Sequence, residues 1–446
     1  MENEENETMI DERTQDAARV AVKTPFGPIE VNMIEWAKAK DEASRYMEKM
    51  RPIKRPFSEL MIEEFLGGKM ESNSMYWKGN FGKLMKYHLD TFAETWKLVK
   101  ELLVIGVKSV VDPIYGNVEV ADIGYCSYLS IGQRFYEREN GDRISIQCSI
   151  DHDGDDRIKI DVLKESELDP LAILKELEQD FYLRGPLKGS FFDLRYNFIS
   201  RRGEVSELLA WDDDIRATLT REVIDFHRIM PLLAERGLPN SRGIILSGPP
   251  GTGKTMYAKA IAAETSLTTI LISSEMINNR YDVKGAFTLA RKLSPSLIIV
   301  EDIDTTGVRS RTDYGDHPVL GEFLQSLDGL ESNDGVIILA TTNHTEHLDP
   351  AISDRPGRFD RIIPVGLPKM MQRREIIANL LSKMPTKVGS NRALISRLAE
   401  RTDELSGAWI AEIVNSALIQ ALGEGREEIV ERDLTLSLKD VRTRRG

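Results

Sequence analysis

The chain has 446 residues, 41% of them hydrophobic and 29% charged, with a formal net charge of −13. One hydrophobic core rarely organises more than about 250–300 residues, so two or more domains are expected. The acidic balance disfavours a general binder of nucleic acid or anionic membrane, and apolar runs such as LLVIGV (102–107) are too short to span a bilayer.

Residues 1–24 open MENEENETMIDERTQD, which reads as a disordered acidic tail and not as a signal or transit peptide. Helical patterns follow at 33–50 and 57–68, the second closing on Gly67-Gly68, which suits a helix stop. Around 104 the hydrophobic period changes. ISIQCSI (144–150) puts Ile144, Ile146, Cys148 and Ile150 on one face, and RIKIDVL (157–163) alternates too. DHDGDD between them predicts the turn of a β-hairpin. That acidic turn fails as an EF-hand calcium loop. Counted from Asp151, the sixth position is Asp156 where glycine is required, and the twelfth is Val162 where glutamate is required.

Tyr76, Trp77, Phe81, Tyr87, Phe92 and Trp96 recur too irregularly for a base-stacking platform and read as core. Cys126 and Cys148 belong to no CxxC and read as reduced, packed thiols of a cytoplasmic protein. Residues 169–183 predict a capped amphipathic helix, and RGPLKGSFF (184–192) reads as a Gly/Pro linker. A domain boundary therefore falls near 190, closing an N-terminal α+β domain at 25–190 suited to selecting a protein client. From 205 to 368 short β-branched runs at 243–247, 268–273, 297–301, 335–341 and 361–366 alternate mostly with helices. That pattern predicts an α/β unit with a parallel sheet covered on both faces. Residues 369–446 read as helical, an α-helical lid on that unit.

GPPGTGKT (248–255) follows the first of these strands and opens the helix TMYAKAIAAET. This is the context that the phosphate loop G-x-x-x-x-G-K-[ST] requires. Gly248, Pro249, Pro250, Gly251, Thr252 and Gly253 would form the loop, whose glycines let backbone N–H groups turn inward around a polyphosphate, and the helix N-terminus, with Met256 in its first turn, would add its positive end. Lys254 is placed for the β and γ phosphates, and Thr255 can offer its hydroxyl to Mg²⁺. The apolar strand SLIIV ends in Glu301 and Asp302. Beside a phosphate loop, Glu301 is expected to join Thr255 in holding the metal and Asp302 to polarise the attacking water.

The segment from about 208 to 440 resembles the AAA+ ATPases, and within them the AAA group, through several motifs in the family order. RGIILSGPPGTGKT is similar to their Walker A region and PSLIIVEDID to their Walker B. ILATTN resembles the sensor-1 strand, which implies that Asn343 lies near the γ-phosphate and the lytic water. DRPGRFD (354–360) resembles the arginine-finger segment and implies that Arg355 and Arg358 reach the nucleotide of a neighbouring subunit. LSGAWIAEIVNSAL (405–418) resembles the lid motif, which brings Gly407 and Ala408 to the nucleotide, and WDDDI (211–215), with Asp213 at its centre, resembles the stretch around the adenine. The resemblance implies a P-loop NTPase fold and hydrolysis of ATP with Mg²⁺. It also implies a homo-oligomeric ring, commonly of six, that remodels a protein client.

Two features depart from the family pattern. Most members have Asp before Glu, whereas this chain has Glu301 before Asp302, an order that resembles the mitochondrial AAA chaperones handling the folded Rieske protein. Asp302 is one methylene shorter than glutamate, so hydrolysis is expected to persist at a lower rate. Counted back from Pro295, the aromatic-hydrophobic-Gly pore loop falls on Glu275, Met276 and Ile277, with Tyr281 nearby. The missing aromatic and glycine leave room for remodelling a folded partner in place of threading. Two other readings stay open: a nucleic-acid motor or loader, which the charge of −13 disfavours, and a nucleotide-gated scaffold with weak turnover.

Overall fold

The computed structural model describes residues 19–24, 27–50, 56–105, 109–201, 209–304, 333–344, 361–389 and 391–445, together with 322, 323, 325–327 and 359. The first element is a hairpin, β1 (Arg19–Thr24) with β2 (Gly27–Asn32), antiparallel with Val20 opposite Val31 and Val22 opposite Ile29. The period-two alternation of RVAVKT and GPIEVN carries it, so regular structure starts inside the segment expected as a tail. Residues 1–18 lie outside the described residues. Helix α1 (Met33–Met50) follows at once, with Asn32 Oδ1 accepting the Ile34 amide at 3.0 Å.

Helix α2 (Phe57–Leu66) stops where Gly67 turns to φ 86°, a conformation costly for any residue with a Cβ. Next come β3 (Met70–Trp77), α3 (Gly79–Phe92), β4 (Lys97–Ile105), β5 (Ser109–Val111) and β6 (Ile114–Val120). Then follow β7 (Gly124–Glu137), β8 (Arg143–Ile150), β9 (Asp156–Leu163) and α4 (Pro170–Arg184). The strands form one sheet in the order β3-β9-β8-β7-β4-β5, with β6 paired to the first half of β7. The β8–β9 hairpin has the alternating face: Ile146 opposes Ile160, Cys148 opposes Ile158, and all four are fully buried beneath α3 and α4. Helix α2 covers the opposite face, packing Ile62 and Leu66 on Leu102 and Phe135. Among the aromatics, Phe81, Phe92 and Trp96 are core, Trp77 and Tyr87 pack against its edge, and Tyr76 is exposed. Lys86 is fully buried in this core. Its three donors meet Ser130 O (2.9 Å), Ser149 O (2.8 Å) and Asp156 Oδ1 (2.6 Å), which offsets the desolvation of the ammonium.

The second sheet begins with β10 (Phe191–Asp193), which starts within the last two residues of the segment expected as a linker. Helix α5 (Asp213–Leu219) runs through a π-helical stretch into α6 (Phe226–Glu235). Strands β11 (Arg242–Ser247), β12 (Thr268–Ile272), β13 (Ser296–Val300), β14 (Val336–Thr342) and β15 (Arg361–Pro364) complete the sheet. Helix α7 (Lys254–Ala263) joins β11 to β12, and α8 (Arg280–Lys292) joins β12 to β13. The order is β10-β12-β13-β14-β11-β15, every pair parallel. Every residue of β12, β13 and β14 is buried, as a sheet with helices on both faces demands.

Strand β10 ties the N-terminal domain into this sheet, with Phe191 opposite Thr269. Two cations flanking it close helix ends. Lys188 Nζ donates to the carbonyls of Leu293 (3.0 Å) and Ser294 (2.6 Å) beyond α8. The Arg201 guanidinium donates to the carbonyls of Ala262, Thr265, Leu267 and Gly189 around the end of α7. The chain ends in four helices with their own apolar core: α9 (Met370–Ser382), α10 (Arg392–Arg401), α11 (Gly407–Gly423) and α12 (Glu431–Arg445). Among the described residues no helix is long and apolar enough to cross a membrane.

Candidate active site

Strands β11, β14 and β13 lie side by side, and the residues that follow each of them meet in one cavity of about 840 Å³. The carboxyl edge of a parallel sheet is where an open α/β fold leaves such a crevice. From β11 come Pro250, Gly251, Thr252 and Gly253, then the first turn of α7 with Lys254, Thr255, Met256 and Tyr257. Gly251 (φ 76°) and Gly253 (φ 93°) both adopt the left-handed region. A Cβ on Gly251 would come within 2.7 Å of Ala408 Cβ and 2.9 Å of Ser406 Oγ, so only glycine fits beneath α11. Gly253 caps α7 and faces open space. The first amides of a helix and its positive dipole end favour an anion placed there.

Lys254 is 5% exposed, yet its ammonium is fully bonded. It donates to the carbonyls of Gly248 (2.8 Å) and Pro249 (2.9 Å) and to Asn343 Oδ1 (2.8 Å). Those two residues thus turn carbonyls toward the lysine and do not line the cavity themselves. Burial pushes the Lys254 pKa down, and the Asp302 and Asp304 carboxylates oppose that push.

The acids after β13 part company. The Glu301 amide still bonds Ile272 O of β12 (2.8 Å), and the Ile303 amide bonds Thr341 O of β14 (2.9 Å). Asp302, between them, turns to φ 47°. Its carboxylate lines the cavity and accepts Asn343 Nδ2 at 3.2 Å. Glu301 is not among the lining residues; its Oε1 lies 2.8 Å from Lys259 Nζ on α7. Asp304 is buried and accepts the Thr342 hydroxyl (2.9 Å) and the Asn343 amide (3.4 Å), which fixes the direction of Asn343.

Residues 244–367 match the family model described as ATPase family associated with various cellular activities (AAA). The chain carries an AAA+ ATPase domain. The proteasome-activating nucleotidase of Saccharolobus solfataricus is 35% identical over 254 residues, 54% of this chain and 63% of that protein. Its namesake in Sulfurisphaera tokodaii is 37% identical over 237 residues, 50% of this chain and 59% of the relative. The ATP-dependent zinc metalloprotease FtsH of Mycoplasmopsis pulmonis is 36% identical over 225 residues, 48% and 30% of the two chains. The chain spans about three-fifths of the length of the nucleotidases it matches.

The C-terminal helices close the cavity. Gly407 and Ala408 open α11, and the Ala408 amide donates to Gly251 O at 3.1 Å. Asp213 starts α5 and does not line the cavity, whereas Asp212 and Asp214 do. Asp212 caps α5 through the amides of Asp214 (3.1 Å) and Ile215 (3.2 Å) and pairs with Lys369 Nζ at 2.9 Å. Burial alone would raise its carboxyl, but the Lys369 ammonium and the two amides outweigh it and hold the pKa below the ordinary range. Arg355 and Arg358 lie outside the described residues. Ser274–Met276 forms a short 3₁₀ turn before α8, Ile277 packs on the core, and Tyr281 is exposed on the first turn of α8.

Some contacts at the cavity belong to no motif. The Tyr257 hydroxyl donates to Ala210 O (3.3 Å) and accepts the Asp212 amide (3.3 Å) and Gln372 Nε2 (3.4 Å). It thereby joins α7, the 209–212 segment and α9. A tyrosine on the buried face of a helix looks like any core residue, so the sequence offers no signal for it. ATP and Mg²⁺ suit the residues present. Thr255 and Asp302 line the cavity, and no group of three His, Cys, Asp or Glu able to hold a metal occurs among the described residues. Mg²⁺ is commonly bound by one or two protein oxygens together with substrate phosphates, which matches such a sparse donor set.

Proposed function

We propose that the chain is an ATP-hydrolysing motor that remodels a protein client, working with Mg²⁺ as a ring of identical subunits. The observation that carries this reading is the meeting of Lys254, Asp302 and Asn343 at the ends of adjacent parallel strands, beneath the Ala408–Gly251 contact of the lid. Relatives named as proteasome-activating nucleotidases and as an ATP-dependent protease support it.

In this reading the polyphosphate takes the loop amides and the first turn of α7, and Lys254 exchanges carbonyl partners for phosphate oxygens. Asp302 accepts a proton from the attacking water while Asn343 orients it. Thr255, together with the phosphates, would hold Mg²⁺, which when bound would supply charge neutralisation at the phosphates. Arg355 and Arg358 act on the nucleotide of the neighbouring subunit, where added positive charge stabilises the transition state. The Ala408–Gly251 bond passes the state of the nucleotide to the lid. Strand β10, Lys188 and Arg201 fasten the N-terminal domain, which receives the client, to the same sheet. The free thiols of Cys126 and Cys148 suit the reducing cytoplasm.

The test is steady-state ATP turnover of the wild type, Lys254→Ala and Asp302→Asn, with folded protein, unfolded protein, DNA and RNA as stimulants. Turnover by the wild type alone, raised by protein, supports the reading. Stimulation by nucleic acid only would replace it with a nucleic-acid motor. One observation favours a second reading, a nucleotide-gated scaffold with weak turnover: Lys259 holds Glu301, leaving the shorter Asp302 at the cavity. Equal rates for the wild type and Asp302→Asn would select the scaffold.

A further inference from the structure

Asp302 sits at φ 47°, in the left-handed region, which aspartate tolerates better than most residues with a Cβ. The turn is built from three consecutive amides. Glu301 N bonds back to β12, Ile303 N bonds across to β14, and Asp302 N donates to the side chain of Thr341 at 3.0 Å. Thr341 is fully buried near the end of β14, two residues before Asn343. One strand end therefore reaches the acid twice: the Thr341 hydroxyl takes its main chain, and the Asn343 amide takes its carboxylate at 3.2 Å.

We propose that Thr341 is a positioning residue for hydrolysis, holding Asp302 in the left-handed turn that directs its carboxylate to Asn343 and the cavity. The inference rests on the ATP-hydrolysis reading above. Aspartate is one methylene shorter than glutamate and has one rotatable bond fewer. Where its carboxylate lands is consequently set by the main chain, and the Thr341 hydroxyl is a side-chain hold on that main chain. The swapped order of the acids and the hydroxyl at 341 are then two halves of one device. Glu301 is drawn aside to Lys259, and the turn brings the shorter acid to bear.

Valine copies the shape of threonine without the acceptor, and serine keeps the acceptor with less bulk. The experiment uses the full chain as wild type, Thr341→Val, Thr341→Ser, Asp302→Asn and the double variant Asp302→Asn/Thr341→Val. It measures ATP turnover, affinity for a fluorescent ATP analogue, and thermal melting. Thr341→Val is expected to lower kcat roughly tenfold, the equivalent of one hydrogen bond, with nucleotide affinity nearly unchanged. Thr341→Ser restores most of the rate, and in the Asp302→Asn background the valine costs nothing further. The inference is overturned if Thr341→Val turns over like the wild type, or if serine fails to rescue. It is equally overturned if the two variants lose affinity and kcat together, or if the losses add in the double variant. Should the valine protein not fold, Thr341→Ala against Thr341→Ser carries the same comparison. A wild type that binds the analogue and does not hydrolyse ATP would overturn the hydrolysis reading itself, and this inference with it.

Discussion

The Lys254 ammonium and Asn343 Oδ1 lie 2.8 Å apart, joining the first residue of α7 to the residue just past β14. The two ends of this bond are expected to fail differently. Lys254→Ala removes a buried cation from the anion site and should weaken ATP binding by a factor on the order of 100. Asn343→Ala leaves the loop intact and should lower kcat by about 10²-fold, the usual loss for one oriented donor. Equilibrium binding and turnover measured on the same preparations separate the two. Unchanged affinity in Lys254→Ala would refute the phosphate-loop assignment.

The two acids after β13 should be unequal. Asp302 lines the cavity and Glu301 is paired with Lys259. Asp302→Asn is expected to reduce turnover by about 10²–10⁴-fold, as loss of a general base does. Glu301→Gln should cost far less, because its main partner is a lysine on α7. Equal losses would mean that both carboxylates reach the reacting groups.

Arg201 should resist conservative replacement. Its fork serves the carbonyls of Ala262, Thr265, Leu267 and Gly189 at once, and a lysine ammonium cannot span them. Arg201→Lys is expected to destabilise the fold by about 2 kcal/mol through carbonyls left unpaired. The urea midpoint reads this; an unmoved midpoint would show that water takes over the bonds.

Cys148 gives the fold an alkaline limit. Burial pushes its thiol up to about 12, whereas an unfolded thiol ionises near ~8.5. Below that lower value both states hold the proton and the contribution is complete. As pH rises, the unfolded chain loses the proton first, so the contribution is lost between about 8.5 and 12. Stability of the wild type minus that of Cys148→Ala, from urea melts at pH 7 to 10.5, should shrink with pH. A constant difference would count against a buried, protonated thiol.

Those expectations rest on features that were unevenly visible in the sequence. The second sheet was legible because its strands are unbroken β-branched runs, and because Gly251 and Gly253 stand where a loop must turn left-handed. The β8–β9 hairpin was legible through Ile144, Ile146 and Cys148. Strand β10 was not, since Phe191–Asp193 is too short to show a period and follows Gly185-Pro186 and Gly189. Strand β1 was hidden by the acidic stretch before it, although Val20 and Val22 alternate. Motifs offered candidates such as Lys254, Asp302 and Asn343 around the cavity, but not the directions by which Glu301 and Asp213 turn away from it. Nothing in VEDID says that Glu301 meets Lys259, a residue 42 positions earlier, or that Thr341 takes the Asp302 amide. Such pairings are made by the sheet, which sets distant residues side by side.

The placement of β10 bears on how the molecule can be divided. A fragment started at residue 205, where the α/β unit was expected to begin, would lack Phe191–Asp193, baring the flank of β12 as a ready template for sticky association with other chains. It would also lose the cations that quiet the ends of α7 and α8. Any foreign domain grafted ahead of the second sheet must therefore be spliced upstream of Gly185, so that the stretch to Arg201 stays with the unit whose edge it seals.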